Sequence, residues 1–261
     1  MRRFYKIITL ILIACLAAAM MVGCDSAPNK EERQPKASPK AELNAYSWEE
    51  IKDLAACGLS EQRLRDEFNI KLGQTKDGFM LVDDDGNGYL SQGWIFLGPI
   101  NQFPAGKMNA MPHNKGGYLG SSLKTALAEW YPEHMVNTGF GNAAEFINVK
   151  CINPSNNEVS LLQTKVFIPS VVEAGVYKEE SHSDLKWGEE GQPFDYFENG
   201  GLANRARVSK ICKGGGDWWL RTPIGDQAFA CINREGNLVE TSANSPESIL
   251  IAFVVGEPDI K

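Results

Sequence analysis

The stretch Trp218-Trp219-Leu220-Arg221-Thr222-Pro223 (WWLRTP) follows a run of three glycines, Gly214 to Gly216. Read as a strand, it sends Trp218, Leu220 and Thr222 to one face and Trp219, Arg221 and Pro223 to the other. Two neighbouring indoles therefore cannot enter the same core. One is expected to be buried with Leu220, and the other to lie against the Arg221 stem or beneath polar loops. The glycines leading in permit sharp turning and close backbone approach. An arginine fixed between an aromatic ring and backbone carbonyls most often holds loops in place, so a mainly structural role is preferred. The alternative puts Trp219 and Arg221 on the floor of a ligand site, where ring stacking and a forked donor recognise a sugar or a carboxylate.

Downstream, Phe229–Ile232 and Asn237–Val239 read as a hairpin over Asn233-Arg234-Glu235-Gly236, and Ile249–Val255 as a strong final strand. Upstream, Ser47-Trp48-Glu49-Glu50 fits a capping box, and Gly58 stops the helix that begins there. A second short helix starts at Ser60. Phe79–Val82, Tyr89–Leu90 and Trp94–Leu97 read as strands, as do Phe146–Ile152 and Lys165–Ile168. Ser121 or Ser122 caps a helix that Pro132 ends. Ser170–Ala174 is a helical turn closed by Gly175, and Asn101 to Gly120 is a long polar loop. These signals predict one α+β domain, residues 46–261, with short helices and antiparallel sheet.

The N-terminus has a different character. Arg2, Arg3 and Lys6 precede an apolar run from Ile7 to Val22, which is short for a bare membrane anchor and has the parts of a secretory signal. Asp25 to Glu42 carries three prolines, many charges and no aromatic residue. It cannot bury enough apolar surface to offset the entropy of ordering it. The expected organisation is a signal over 1–23, a disordered tether over 24–45, then the domain.

The chain carries a net charge of −7, and removal of residues 1–23 takes away three cations and no anion. Such a protein is a poor partner for nucleic acid or an anionic lipid surface. The three histidines, His113, His134 and His182, have no metal-ligand spacing, and no cofactor motif is present. Asp83, Asp85, Asn87 and Gly88 match part of a calcium loop, but its twelfth position is Trp94 rather than glutamate. A plain acidic turn is the better reading, and a weak calcium site the alternative. Ser181-His182-Ser183-Asp184 holds the residue types of a triad, yet adjacent side chains do not converge on one centre. Gly214–Gly216 lacks the lysine of a phosphate loop. Cys57, Cys151, Cys212 and Cys231 allow three pairings. Cys212 and Cys231 bracket WWLRTP and are favoured as one pair, against four buried thiols.

Two resemblances add to this. Met21-Val22-Gly23-Cys24 resembles the lipobox of bacterial lipoproteins, which implies lipidation of Cys24 and anchoring to a membrane on its extracytoplasmic face. The segments SWEEI, FNIKLGQTK, KMNAMPHNKGGY, TKVFIPSVVEAG, EGQPFDYFENG, WWLRTP and FACINREGNLV, in that order, resemble a bacterial surface-protein domain family of unknown function with a W-W-L-R-[ST]-P signature. More distantly, the pattern is similar to C-type-lectin-like folds, which serve surface-binding modules and sulfatase-modifying oxidases. Val171-Val172-Glu173 departs from that family's serine and glutamates, and the IAFVVG ending departs from its V-x-P-x-F. The lipid tether, spacer, single globular domain, long polar loops and abundant aromatics suit a lipid-anchored binding domain for a glycan, peptide or cell-wall ligand. A structural surface lipoprotein, or an oxidase-like enzyme using Cys212 and Cys231, are the other readings.

Overall fold

The computed structural model describes residues 33–99, 105–135, 138–176, 186–212 and 215–258. The signal, Cys24, the Ser181–Asp184 tetrapeptide and Gly214 lie outside these residues. From Gln34 onward the chain forms one compact unit.

Helix α1 (Trp48–Ala56) starts at the expected capping box: Ser47 Oγ accepts from Glu50 N at 3.2 Å, and Glu50 Oε2 accepts from Ser47 N at 2.7 Å. It buries Trp48, Ile51, Leu54 and Ala55. Helix α2 (Glu61–Phe68) is capped by Ser60 and stopped by Asn69 in the left-handed region, φ 56°. A meander follows, β1 (Thr75–Lys76), β2 (Phe79–Asp83) and β3 (Gly93–Pro99). The last strand, β9 (Leu250–Gly256), returns to pair with β3 over its whole length, from Gly93↔Gly256 to Pro99↔Leu250. The sheet order is β1-β2-β3-β9, all antiparallel. Trp48 packs edge-on to Phe96 and tilted on Phe253, with ring centroids 5.0 and 5.6 Å away, so α1 closes one face of this sheet.

Helices α3 (Ser122–His134) and α4 (Gly139–Ala143) lead into the hairpin β4 (Ile147–Asn153) and β5 (Glu158–Thr164). Helix α5 (Asp195–Ser209) precedes the third sheet, β6 (Trp218–Ile224), β7 (Ala228–Ile232) and β8 (Leu238–Ser242). Single bridges tie loop residues to the strands: Phe167↔Ala252 and Ala144↔Val255 on β9, and Ser248↔Trp218 on β6. The architecture is α+β with three antiparallel sheets, as the sequence predicts.

Several elements differ from expectation for identifiable reasons. Tyr89–Leu90 is a turn with one bridge, Asn87↔Leu90, not a strand. Lys165–Ile168 makes a single bridge, and the partner of β4 is β5, whose half-exposed pattern has no continuous apolar run. Pro132 sits inside α3, in its last turn. Helix α5 spans Asn199-Gly200-Gly201 by kinking at Gly201 (φ 47°, ψ −132°).

The stretch expected as tether is packed at its C-terminal end. Leu43 is fully buried, Tyr46 Oη accepts from Lys40 N and donates to Phe68 O, and Asp53 accepts from Lys36 N. The one large apolar side chain in that stretch, Leu43, is what fastens it.

The favoured Cys212–Cys231 bridge does not form. Cys212, at the end of the turn after α5, is a free thiol that donates from Sγ to Val208 O at 4.0 Å, and Cys231, in the middle of β7, is a free buried thiol. Burial pushes the Cys151 thiol up to about 12 and Cys212 up to about 11, and raises Cys231 well above its usual value. Thiolates are the reactive species. Iodoacetamide at pH 8 is therefore expected to leave these three cysteines unmodified until denaturant is added, with no disulfide-linked peptides under non-reducing digestion. A Cys212–Cys231 peptide would refute this.

Candidate functional site

All residues from Trp218 to Pro223 are buried. Strand β6 is covered on both faces, which is how two oppositely directed indoles are both 0% exposed. A bulge between Trp219 and Pro223 breaks the register with β7 and leaves Leu220 to Thr222 to bond elsewhere. Arg221 N donates to Pro169 O at 2.8 Å.

The Arg221 side chain finds an acceptor for each of its five N–H groups. Nε donates to Lys150 O at 2.9 Å, and Nη1 to Ile168 O at 3.0 Å. A forked pair reaches Glu173, Nη1 to Oε2 at 2.6 Å and Nη2 to Oε1 at 2.8 Å, and Nη2 also donates to Glu190 O at 2.6 Å. The guanidinium lies 5.6 Å from the Phe167 ring centroid. Strand β4, the 168–173 turn and the 187–190 turn are thus pinned to β6 by one side chain.

The surrounding groups complete the network. Ser170 N donates to Glu173 Oε2 at 2.8 Å, and Glu173 N donates to Ser170 Oγ at 3.2 Å. That is a capping box written in sequence as S-V-V-E, so the glutamate is recognisable from its spacing to Ser170. Tyr89 Oη donates to Glu173, and Thr222 Oγ1 donates to Glu190 while accepting from Val171 N. Glu190 Oε1 accepts from Ile152 N at 3.2 Å. Two fully buried carboxylates share one cation. Burial pushes Glu190 up to about 7 against the opposing pull of Arg221, Thr222 and the Ile152 amide. Burial by itself would lower Arg221, but Glu173, Tyr89 and Glu190 outweigh it and hold the guanidinium charged.

A second acidic group forms where β2 meets α5. The bulge at Leu81/Asp83 turns Asp83 inward, where it accepts from Asp85 N at 3.3 Å and Asp195 N at 3.2 Å. Carboxylate oxygens of Asp83, Asp85 and Asp195 lie within 4.8 Å of one another. The third carboxylate is thus 112 residues along the chain from Asp83. Asn87, the third position of the calcium-loop match, instead donates to Gln192 O. Such oxygens are of the type hard cations take.

Burial, then the charges of Asp85 and Asp195, push Asp83 up to about 8; burial and Asp195 push Asp84 up to about 6. With folded values above unfolded ones, the native state binds the extra protons. Stability contributed by these groups is full below about pH 4 and is lost as pH rises toward about 8. A tenfold difference in proton affinity between the folded and unfolded chain is worth about 1.4 kcal/mol. Asp83→Asn is expected to flatten this slope and to raise the melting temperature more at pH 8 than at pH 5. An equal rise at both values would show that Asp83 does not titrate there.

On the opposite end of α5 lies an open cleft of about 820 Å³. Asn44, Gln74, Thr75 and Asp77 contribute to it from the segment before α1 and the β1–β2 hairpin, and Arg207 and Lys210 from the end of α5. Strand β1 is a sheet edge. No residue of WWLRTP lines this cleft.

Fold and buried network together define an α+β domain whose aromatic signature is an internal clamp. Residues 105–255 match the family described as a domain of unknown function, DUF6273, and the chain belongs to that family. No curated protein and no solved structure matches it. The matched span contains Arg221, Glu173 and Glu190. It starts after β3, although β3 pairs with β9 over seven residue pairs.

Proposed function

We propose that the protein is a lipid-anchored, extracytoplasmic recognition domain without catalytic activity, binding a glycan or another cell-surface ligand. Lipidation of Cys24 rests on the Met21-Val22-Gly23-Cys24 sequence behind its apolar run. No helix among the described residues is long and apolar enough to cross a membrane.

The observation that carries the binding reading is the polar cleft beside β1. It combines amide, hydroxyl and charged side chains on an open concave surface, the mix of oriented polar groups that hydroxylated ligands require. Trp219 and Arg221, the binding candidates in the sequence, have no exposed surface to offer. That observation favours a second reading, a structural surface lipoprotein in which the motif serves the fold alone.

Labelled palmitate is expected to enter the wild-type chain and not Cys24→Ser, which should accumulate unprocessed. Equal labelling of the two would sink the anchor. Incubating the purified protein with cell-wall fragments and a glycan array separates the remaining readings. Retention of a defined glycan supports recognition, and retention of none supports the structural lipoprotein.

A further inference from the structure

The outer edge of a sheet needs an occupant or a deterrent, because open backbone groups template pairing with another strand. Strand β9 is covered by the Phe167 and Ala144 bridges, and β6 by Ser248 and the Pro169 carbonyl. Strand β1 is two residues long and carries Lys76, and β8 has the exposed Glu240 at its centre. Among the described residues, β5 has neither cover nor deterrent. It runs beside β4 for seven residues without a register shift, and Val159 to Thr164 holds no charge, proline or glycine.

The direction of the β5 backbone groups follows from β4. Ile152 N donates to Glu190 Oε1 at 3.2 Å, and Lys150 O accepts from Arg221 Nε at 2.9 Å, so both residues turn their polar groups away from β5. In an antiparallel pair, such residues stand opposite partners that also face outward. Those partners are Val159, opposite Ile152, and Leu161, opposite Lys150; Gln163, opposite Asn148, follows by alternation. The N–H and C=O groups of Val159, Leu161 and Gln163 thus point out of the hairpin. None of them has a hydrogen-bond partner among the described residues. Leu161, the middle one, is also 62% exposed, one of the few large apolar side chains left in solvent.

We infer that β5 pairs with β5 of a second copy of this chain, antiparallel and centred on Leu161, joining the two-stranded sheets of two copies into one. A twofold axis relating neighbouring antiparallel strands stands normal to the sheet, so residues that meet keep the same face. The register centred on Leu161 is the one that joins every outward residue to another. It sets Leu161 against Leu161 of the second copy, and Val159 against Gln163 in both directions. Each such pair exchanges two backbone hydrogen bonds. The exposed leucines meet side by side, and Glu158 faces Thr164, so no like charges are opposed. That self-complementarity is what an isologous interface requires, and it favours a second copy over a foreign strand. The seam is narrow against the roughly 1,200 Å² or more of stable interfaces, so the dimer is a reversible one. This contact is independent of the recognition reading above.

The test is sedimentation equilibrium of the purified full chain from about 1 μM to about 1 mM, read beside amide hydrogen exchange. A density-matched detergent keeps the apolar run from Ile7 to Val22 from driving association of its own. Wild type is expected to dimerise reversibly, and the Val159, Leu161 and Gln163 amides to gain about tenfold protection across that range. The Ser160, Leu162 and Thr164 amides, which face β4, should be protected at every concentration. Leu161→Lys and Leu161→Glu should each weaken the dimer at least about tenfold by opposing like charges on the twofold, while melting as wild type does because the site is exposed. An equimolar mixture of the two variant chains should dimerise again, since lysine then meets glutamate. A monomer at every concentration overturns the second copy. If the three outward amides then exchange freely, the edge is left to a foreign strand; if they are protected, the chain covers it itself. A dimer that both variants leave intact, or variants that the mixture does not rescue, overturns the pairing at Leu161.

Discussion

Replacing Arg221 with alanine lowers stability by about 3–5 kcal/mol, the cost of stranding buried charge, as read by chemical denaturation at pH 7.5. The variant leaves Glu173 and Glu190 buried without a cation and takes the donor from three backbone carbonyls, those of Lys150, Ile168 and Glu190. Arg221→Lys does not restore it, because one ammonium cannot replace a fork that reaches both Glu173 oxygens and three carbonyls. The deficit should shrink as pH falls. Glu190 is already raised to about 7, and without the guanidinium its carboxyl takes up a proton more readily in the folded state. Adding Glu173→Gln to Arg221→Ala should recover part of the loss, since the amide removes one uncompensated charge. A variant that melts like wild type, or a deficit independent of pH between 5 and 8, would show that the pair does not hold these turns together.

That network explains why the sequence is legible in some places and opaque in others. Capping boxes announce themselves because both partners lie within four residues, so Ser47–Glu50 can be read at once. Ser170–Glu173 uses the same spacing, but the more important role of Glu173, gripping Arg221 48 residues away, is set only by the tertiary fold. The alternation in WWLRTP correctly separates the two indoles, and says nothing about whether both faces are covered. They are covered because α5 lies on one side, and α5 itself is hidden by Asn199-Gly200-Gly201. Glycine at position 201 is tolerated as the kink between two helical pieces, in spite of its low helix propensity. The cysteine pairing misleads for a similar reason. Bracketing a motif in sequence does not fix the direction of two thiols, and here the Cys212 thiol turns back to the Val208 carbonyl while Cys231 is buried in the middle of β7. The cleft beside β1 has no local signature, since its walls come from residues 42–80 and 207–211.

The two tryptophans should each cost about 3–5 kcal/mol when cut to alanine, as large buried side chains do, yet loosen different parts of the molecule. Trp218 stands opposite Ile232, stacks on Phe197 with centroids 6.2 Å apart, and donates from Nε1 to Ser209 Oγ at 3.1 Å. Ser209 in turn donates to Arg205 O and Asn233 O, so this indole ties β6 to the end of α5 and to the β7–β8 turn. Trp219 faces the other way. It meets Phe229 edge-on at 6.5 Å and donates from Nε1 to Gly106 O at 2.7 Å, in the loop that also bridges Glu247. Hydrogen exchange should therefore resolve the pair. Trp218→Ala is expected to unprotect the amides around Ser209 and Asn233, and Trp219→Ala those of Gly106 and Glu247, which bond each other's carbonyls at 2.8 and 3.1 Å. Phenylalanine at either position keeps most of the buried apolar surface but deletes the indole donor, leaving Ser209 Oγ or Gly106 O short of a partner, so it should cost about 1–3 kcal/mol. Identical exchange patterns for the two alanine variants would mean that β6 has one core face and not two. Losses under about 1 kcal/mol for both, well below the range for buried aromatics, would return WWLRTP to the surface, where a ligand could use it.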